Sequence, residues 1–469
     1  MKRMSPQIFA GLLSVATVAL GPKAAAQTSD WPAYLHDTAH SSYNQQATAI
    51  TTTNAGSLVQ NWTFTDRPPT QTGQPAVGFN ASPTIYNGVV YLGSNTGQFY
   101  ALNESNGSVL WHRLLGYVKT NTCRAQGVVS TAAVATDPVS GTLMVYVGGG
   151  NGFLYALNAS NGQIVWKKLV VKVGTTENDG FAWSSPLLLN GVIYMGVSSQ
   201  CDHPLIRGGI KSYDMHTGTP LHVYFTTPKN TIGASVWTSP TSDGNFIWLN
   251  DGNGDFGDAF SMMRLTPDLV FQTKWTILDV QGTDLDWGSS PTLFQATLSG
   301  IPTQMVGANE KSGVFYAFNA LSLEAGPVWT RQIGTTGMLG AIGTCLAAPI
   351  WDAVHSQLFV GSNQTTIQSQ TFAGSMRSLD PATGDVIWET GLTAGPVMGT
   401  PTLNGAGVLA AGTYGLANPT GNAVYLLDAS NGNILTSFPE TSPVFSQPVF
   451  ANNYLFIATS AGVLLAYSP

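Results

Sequence analysis

The side chains best suited to chemistry in this sequence carry oxygen atoms and lie between positions 251 and 311. Asp284 and Asp286 are separated by a single residue. Because side chains alternate along an extended chain, both carboxylates would face the same way and could address one site. Asp251-Gly252-Asn253-Gly254-Asp255 combines carboxylate and amide oxygens, which hard cations prefer. These segments are candidates for acid–base and cation chemistry, and the simpler alternative is that they only cap turns.

Other catalytic patterns are absent from the sequence. No Ser/His/Asp triad or glycine-rich phosphate loop stands out, and histidines such as His36 and His40 lack metal-ligand spacing. No C-x-x-C-H motif occurs, which predicts that the chain carries no c-type haem. The Asp251 segment also does not fit a helix–loop–helix calcium motif, because Met262 stands where a glutamate is needed.

Composition indicates a turn-rich β protein. Charged residues make up 9% of the chain and aromatic residues 10%, and there are 52 glycines. A net charge of −7 and the lack of any basic run argue against a nucleic-acid partner. Cys123, Cys201 and Cys345 leave two alternatives open, which are one disulfide with a free cysteine or three reduced thiols.

Residues 1–26 are predicted to be a signal peptide. Lys2 and Arg3 precede an apolar run from Ile8 to Leu20, and Ala24-Ala25-Ala26 offers a cleavage site. The run is shorter than the roughly 20 residues that a membrane span requires, which disfavours a membrane anchor. No later stretch is long and apolar enough to span either. We therefore expect a soluble mature chain that is periplasmic or secreted.

A repeated unit organises the rest of the chain. GVVYLGSNTGQFYALNESNGSVLW covers Gly88 to Trp111, and similar text returns at Val145 to Trp166 and, more loosely, at Leu358 to Trp388. Each copy indicates short strands joined by Asn/Gly turns, which predicts a repeat fold. Turn positions such as Asn103 and Gly107 tolerate left-handed backbone, and the closing Trp is expected to pack between neighbouring units.

Eight units can be counted from their first residues. Each unit opens on a small or polar residue, usually followed by proline, and successive openings are 47 to 58 residues apart. This length fits four short strands, which is one blade of a β-propeller. The openings are Ser82-Pro83, Ser130-Thr131-Ala132, Ser185-Pro186, Ser239-Pro240, Ser290-Pro291, Ala348-Pro349, Thr400-Pro401 and Gln447-Pro448.

The closing aromatic residues number one fewer than the openings. They are Trp111, Trp166, Tyr224, Trp275, Trp329, Trp388 and Phe438. The last unit, from Gln447 to Pro469, ends after about three strands, whereas Ser57 to Phe64 resembles the end of a unit that nothing precedes. We therefore predict an all-β fold, an eight-bladed propeller of four-stranded antiparallel blades closed by the N-terminal strand, as one domain over 27–469. An open β-solenoid and two separate β domains are the alternatives.

The units and their motif A-L-N-x-x-N-G-x-x-x-W resemble the pyrroloquinoline quinone (PQQ) enzyme repeat. Asp30 to Asp37, followed by Ser42-Tyr43-Asn44, is similar to the opening of mature quinoprotein dehydrogenases. Four central segments resemble, in order, those of polyvinyl-alcohol-dehydrogenase-type quinoproteins. These are Gly196 to Gln200, Gly233 to Trp237, Asp284 to Pro291 and Lys311 to Ala317.

The resemblance implies a PQQ-dependent dehydrogenase that oxidises a small or polymeric alcohol and passes electrons to a separate carrier. Hydride transfer to a quinone requires a base for the hydroxyl proton and an electrophile at the quinone carbonyl. The resemblance places the base at Asp284 or Asp286, a Ca²⁺ ligand at Asn253, quinone contacts at Lys311, and a stacking face at Trp237 or Trp287.

The sequence also departs from the pattern of these enzymes. Where they carry a ligating glutamate, this chain has Gln200, which is expected to contact the cofactor but is a weaker cation ligand unless Asp202 substitutes. The vicinal Cys-Cys pair that covers one quinone face is absent, and only Cys201 lies near that segment. The alternative is a non-catalytic binding or assembly propeller, since outer-membrane assembly scaffold proteins share these repeats and bind no quinone.

Overall fold

The computed structural model describes Met1 and residues 29–67, 75–120, 123–173, 179–254, 259–278, 283–335, 344–415 and 421–469. Apart from Met1, the predicted signal peptide lies outside these residues. Among the residues described, no helix is long and apolar enough to cross a membrane. The regular structure is almost entirely β, and two short 3-10 helices, Ala55–Ser57 and Leu323–Ala325, interrupt it.

The described strands form eight antiparallel blades around a central channel, as predicted. From the innermost strand outwards, blades 1 to 4 are Thr84–Tyr86, Val89–Gly93, Gln98–Asn103, Val109–Leu114; Ala133–Thr136, Leu143–Gly148, Phe153–Asn158, Ile164–Leu169; Leu187–Leu189, Val192–Ser199, Gly209–Asp214, Pro220–Phe225; and Thr241–Ser242, Ile247–Asn250, Ser261–Leu265, Phe271–Thr276. Blades 5 to 7 are Thr292–Leu298, Ile301–Asn309, Val314–Asn319, Pro327–Gln332; Ile350–Asp352, Gln357–Ser362, Gly374–Leu379, Val386–Leu392; and Thr402–Asn404, Val408–Gly412, Asn422–Asp428, Ile434–Glu440.

Blade 8 closes the ring by combining both ends of the chain. Its three inner strands are Val449–Ala451, Tyr454–Ala458 and Val463–Ser468, and its outermost strand is Val59–Thr65. The register places Thr63 opposite Leu465 in an antiparallel pair. The predicted closure by the N-terminal strand is therefore confirmed, and the described blades leave no gap in the ring.

Three smaller strand pairings lie outside the four-stranded blades. Gly180–Phe181 pairs with the end of the second strand of blade 3, and Tyr43–Asn44 pairs in parallel with the innermost strand of blade 7. A hairpin of Thr365–Ile367 and Gln370–Phe372 projects from blade 6.

The closing tryptophans explain why most units carry a turn glycine. Trp111 of blade 1 is 7% exposed and donates its Nε1 hydrogen to the carbonyl of Ala159 in blade 2 at 2.9 Å. A Cβ added to Gly162, which has a φ of +67°, would lie 2.4 Å from the Trp111 ring. Trp329 and Gly384 repeat this contact between blades 5 and 6. The glycine thus satisfies both the left-handed turn and the close approach of the preceding blade.

The small residues that open the blades form a belt of hydrogen bonds around the channel. The N–H of Ser82 donates to the hydroxyl of Thr131 at 3.0 Å, Thr131 to Ser185 at 3.0 Å, and Ser185 to Ser239 at 2.9 Å. The other links are Ser239 to Ser290, Ala348 to Thr400 and Gln447 to Ser82. Each hydroxyl therefore accepts a buried N–H from the neighbouring blade and ties the blades together. In blade 2 the belt position is Thr131, not Ser130.

An N-terminal coil, residues 31–44, lines the channel inside the innermost strands. Its backbone carbonyls accept an N–H from the second residue of six of these strands, at 2.7 to 3.0 Å. The donor and acceptor pairs are Ile85 to Trp31, Val134 to Pro32, Ser242 to Thr38, Leu293 to Ala39, Trp351 to Ser41 and Leu403 to Ser42. These donors lie on the open edges of the sheets, so the coil satisfies polar groups that the blades alone would leave unpaired.

Candidate functional site

A cavity of about 470 Å³ opens at one end of the channel. In each blade, the first strand begins at this end of the ring and the second strand ends there. The segments before first strands and the segments after second strands therefore meet at the cavity. Trp237 and Asp286 precede first strands, and Asn253 and Lys311 follow second strands. Residues from two neighbouring blades, 4 and 5, thus converge on one space.

The position of a residue relative to the innermost strand predicts whether it lines the cavity. The residue four positions before the innermost strand lines the cavity in all eight blades. These residues are Asn80, Val129, Trp183, Trp237, Gly288, Leu346, Met398 and Phe445. Because side chains alternate, the residue two positions before the strand points to the same side, and these residues form the belt of hydrogen bonds described above. Asp284 and Asp286 follow the same parity in blade 5, and both line the cavity.

Trp287 has the opposite parity and is part of the core instead. It is 0% exposed and packs against Tyr316 and Phe318, at ring-centroid distances of 5.3 and 6.3 Å. Gly288 occupies the cavity position of this blade. Of the two tryptophans offered as a stacking face, Trp237 alone lines the cavity, and the alternation that put 284 and 286 together excludes 287 from it.

Lys311 joins the two aspartates. Its Nζ lies 2.8 Å from Asp284 Oδ1 and also contacts Asp286 Oδ1, and it stands 5.5 Å from the centre of the Trp237 ring. Trp237 Nε1 donates to Asp286 Oδ2 at 3.0 Å. Both oxygens of Asp286 are therefore engaged, and its side chain is 3% exposed, against 46% for Asp284. Within the described residues, Asp284 Oδ2 accepts no hydrogen bond.

Burial sets the protonation equilibria of this cluster. Desolvation raises the pKa of Asp286 above its ordinary value, and the nearby Lys311 ammonium only partly offsets this. Burial disfavours the charged form of Lys311, but Asp286 and Asp284 outweigh it, so the pKa of Lys311 is raised. The lysine therefore remains a cation, and it stabilises two carboxylates at the cavity wall.

Asp202, Gln200 and Asn253 form an oxygen-rich neighbour to this cluster. Burial raises the pKa of Asp202, while hydrogen bonds from the Asn253 and Ser199 side chains oppose that shift. Gln200 donates its Nε2 hydrogen to the carbonyl of Arg124 at 2.7 Å. Its Oε1 is buried and has no protein partner among the described residues. The site thus presents carboxylate and amide oxygens, the donor set of a hard cation.

The charge of the cavity also favours a cation. Among the described residues, its lining contains three carboxylates, Asp202, Asp284 and Asp286, against one ammonium, Lys311, which gives a formal charge of −2. One ammonium offsets these carboxylates only in part, so a divalent ion would stabilise this wall. Asp251 has another role, because its Oδ1 accepts the N–H of Ser261 at 2.7 Å. Asp255 lies outside the described residues.

The structure resolves the cysteine alternatives. Cys123 and Cys201 form a disulfide across 78 residues, and Cys345 is free and buried. Cys201 lines the cavity. Sequence spacing placed only Cys201 near this segment and so missed Cys123, which the connection between blades 1 and 2 brings beside it.

Other parts of the site were missed by sequence reasoning. An uncharged wall of Leu346, Met398, Tyr414 and Phe445 faces the cavity from blades 6 to 8, and the four-residue register rule would have found three of these side chains. Glu310, beside Lys311, is 1% exposed and accepts the N–H of Ser312 at 2.9 Å, and burial raises its pKa to about 7. No sequence signal distinguishes Glu310 from an ordinary turn residue.

Two family models match the chain. One describes the β-propeller domain of glucose/ethanol/alcohol dehydrogenases and matches residues 31–248. The other describes the outer membrane protein assembly factor BamB and matches residues 306–469. Together they cover most of the ring, and their boundary falls within the region that supplies the charged cavity residues.

Individual proteins give the same picture. A quinohemoprotein alcohol dehydrogenase of Comamonas testosteroni is 23% identical over 63% of this chain and 45% of its own length. A polyvinylalcohol dehydrogenase of Sphingopyxis sp. is 22% identical over 66% of this chain and 52% of its own. The chain therefore spans about half the length of these relatives. A solved europium-containing methanol dehydrogenase shares the fold, with a TM-score of 0.76 at 14% identity over 95% of this chain and 99% of that chain.

Proposed function

We propose that this chain, which belongs to the PQQ-repeat β-propeller family, is an oxidoreductase that oxidises an alcohol with PQQ and Ca²⁺ held in the cavity. The observation that carries the proposal is the convergence of Trp237, Lys311, three aspartates and Asn253 on one space. A structural propeller has no need for a formal charge of −2 around a half-buried indole and a half-buried ammonium.

The residues present fit both groups. A planar quinone would stack on Trp237, with Lys311 at its edge as a cationic partner for quinone oxygens. Ca²⁺ would be held by Asn253, Asp202 and the unpartnered Gln200 Oε1. Asp202 would then supply the charge that Gln200 lacks. When bound, the quinone accepts hydride and the cation polarises its carbonyl.

We assign the base to Asp284. A general base needs an oxygen that is free to take a proton and can be reached by the substrate. Asp284 Oδ2 meets both conditions, while Lys311 holds Oδ1. Asp286 has both oxygens occupied, and its role is to hold Lys311 and Trp237 in place. The uncharged wall with Tyr414 and Phe445 would orient the carbon part of the alcohol.

The proposal also covers the electron acceptor and the location of the protein. The reduced site would pass electrons to a separate carrier. A signal peptide over 1–26 and a disulfide both suit an exported, periplasmic or secreted protein. N-terminal sequencing of protein from its native source should find a start near Gln27, and an intact Met1 would contradict export.

A titration with PQQ and Ca²⁺ tests the function. The purified protein should bind both, and the Asp284→Asn variant should retain binding but lose about 10²- to 10⁴-fold in kcat for dye-linked alcohol oxidation. Asp286→Asn should instead weaken quinone binding. Turnover that survives in Asp284→Asn and disappears in Asp286→Asn would move the base to Asp286.

The second candidate function is a binding or assembly propeller. The specific observation in its favour is the match of residues 306–469 to the assembly-factor model. Absence of quinone binding at saturating Ca²⁺, and again with a lanthanide in its place, would overturn the dehydrogenase and leave this candidate.

A further inference from the structure

The short loop 199–203 presents two of the proposed cation ligands in a conformation that needs support. Asp202 has a φ of +64°, in the left-handed region that non-glycine residues adopt at a cost of about 1 kcal/mol or more. Gln200 and Asp202 nevertheless both line the cavity. Something outside the loop must hold this geometry.

Asp179 supplies one part of the support. Its carbonyl accepts the N–H of Gln200 at 2.5 Å, and its Oδ2 accepts the N–H of Cys201 at 3.1 Å and of His203 at 3.4 Å. These three bonds bracket Asp202 on both sides. Asp179 is 1% exposed, so its carboxylate is committed to the loop and does not line the cavity.

The Cys123–Cys201 disulfide supplies the other part. It fixes the residue between Gln200 and Asp202 to the connection between blades 1 and 2. On the far side of the bond, Arg124 follows Cys123, and its carbonyl accepts the Gln200 Nε2 hydrogen at 2.7 Å. That bond turns Gln200 so that its Oε1 has no other protein partner among the described residues. The disulfide therefore positions both ligands, one through each of its cysteines.

We propose that the disulfide and Asp179 form a clamp that presents Asp202 and Gln200 to the cation. This inference rests on the proposed function and makes Cys123, Cys201 and Asp179 positioning residues for its metal site. Reduction by a dithiol breaks the S–S bond, gives two thiols and oxidises the dithiol to its own disulfide. The loop then loses its covalent tie, and Asp202 relaxes from its left-handed conformation.

Calorimetry with Ca²⁺ alone and hydrogen exchange test the clamp together. Asp179→Asn and the Cys123→Ser/Cys201→Ser pair should each weaken Ca²⁺ binding by about 10- to 100-fold, the usual effect of removing groups that orient metal ligands. Amide exchange across 200–203 should rise in the same variants, while the blade 3 strand Gly209–Asp214 should keep its protection. Cys345→Ser, which changes a buried cysteine outside the clamp, is the matched control and should leave both readings unchanged.

The outcomes separate the clamp from the function. Tight Ca²⁺ binding that is equal in the wild type and both clamp variants would overturn the clamp and leave the proposed function standing. A wild-type protein that binds neither Ca²⁺ nor quinone would overturn the proposed function and the clamp with it. Weaker Ca²⁺ binding and faster exchange confined to 200–203 support both.

Discussion

The part of the chain up to Lys311 and the part beyond it contribute to one cavity in different ways. Every charged residue of its described lining lies between Asp202 and Lys311, whereas the lining beyond Lys311 is uncharged. Blade architecture and tryptophan contacts are the same on both sides. The dehydrogenase model ends at residue 248 and the assembly-factor model begins at residue 306. The repeat therefore fixes where a side chain points, and the residue at each register position decides its chemistry.

Replacing Lys311 should have the largest effect, because it removes the ammonium that pairs with both Asp284 and Asp286. Lys311→Met leaves Asp286 buried without its partner, and breaking such a pair typically costs about 3–5 kcal/mol. Burial then raises the pKa of Asp286 further, so the folded state holds a proton that the unfolded state releases. Stability should fall as pH rises above the unfolded pKa, and thermal unfolding should show a larger loss at pH 8 than at pH 4.

The exposed Lys229→Met is the matched control for that measurement and should change stability little at either pH. An equal loss for Lys311→Met at both pH values would mean that the lysine acts through packing and not through charge.

Truncation of a closing tryptophan should destabilise the protein equally on either side of Lys311. Trp111→Ala and Trp329→Ala remove rings that are 7% and 8% exposed, and each should cost about 3–5 kcal/mol in urea unfolding. The folded variants should bind Ca²⁺ like the wild type. A clearly smaller loss of unfolding free energy for one of the two variants would show that the blades do not depend equally on their tryptophans.

A belt substitution should cost less. Ser185→Ala leaves the buried N–H of Thr131 without its acceptor, which should lower the free energy of unfolding by about 1–3 kcal/mol. Ser185→Thr keeps a hydroxyl at this position, as Thr131 and Thr400 do elsewhere in the belt, and should recover most of the loss. Equal stability of the two variants would show that the hydroxyl is not what matters.

The smallest effect is expected on the uncharged wall. Phe445→Leu should raise KM for an apolar alcohol by roughly twofold to fivefold, with kcat and Ca²⁺ affinity unchanged, because it alters uniform binding only. A change in Ca²⁺ affinity would show that the two sides of the cavity are coupled.

Much of this molecule could be predicted from local sequence. The blade openings, the turn glycines and the unpaired strand near Trp62 are periodic or adjacent signals, and they led to the eight-bladed ring and its closure. The alternation of side chains alone would have excluded Trp287 from the site, because it places 287 on the side opposite to 284 and 286. The Cys123–Cys201 bond and the N-terminal coil could not be found this way, since each depends on segments that only the closed ring brings together.

Ring closure also determines when the cavity exists during synthesis. The outermost strand of blade 8, Val59–Thr65, is made early, but its partner Val463–Ser468 is made after all the other described blade strands. The N-terminal coil likewise waits for innermost strands that emerge hundreds of residues later. A chain truncated before Val463 therefore has no closed ring. The cavity is therefore enclosed by the closed ring only after the strand Val463–Ser468 has been made.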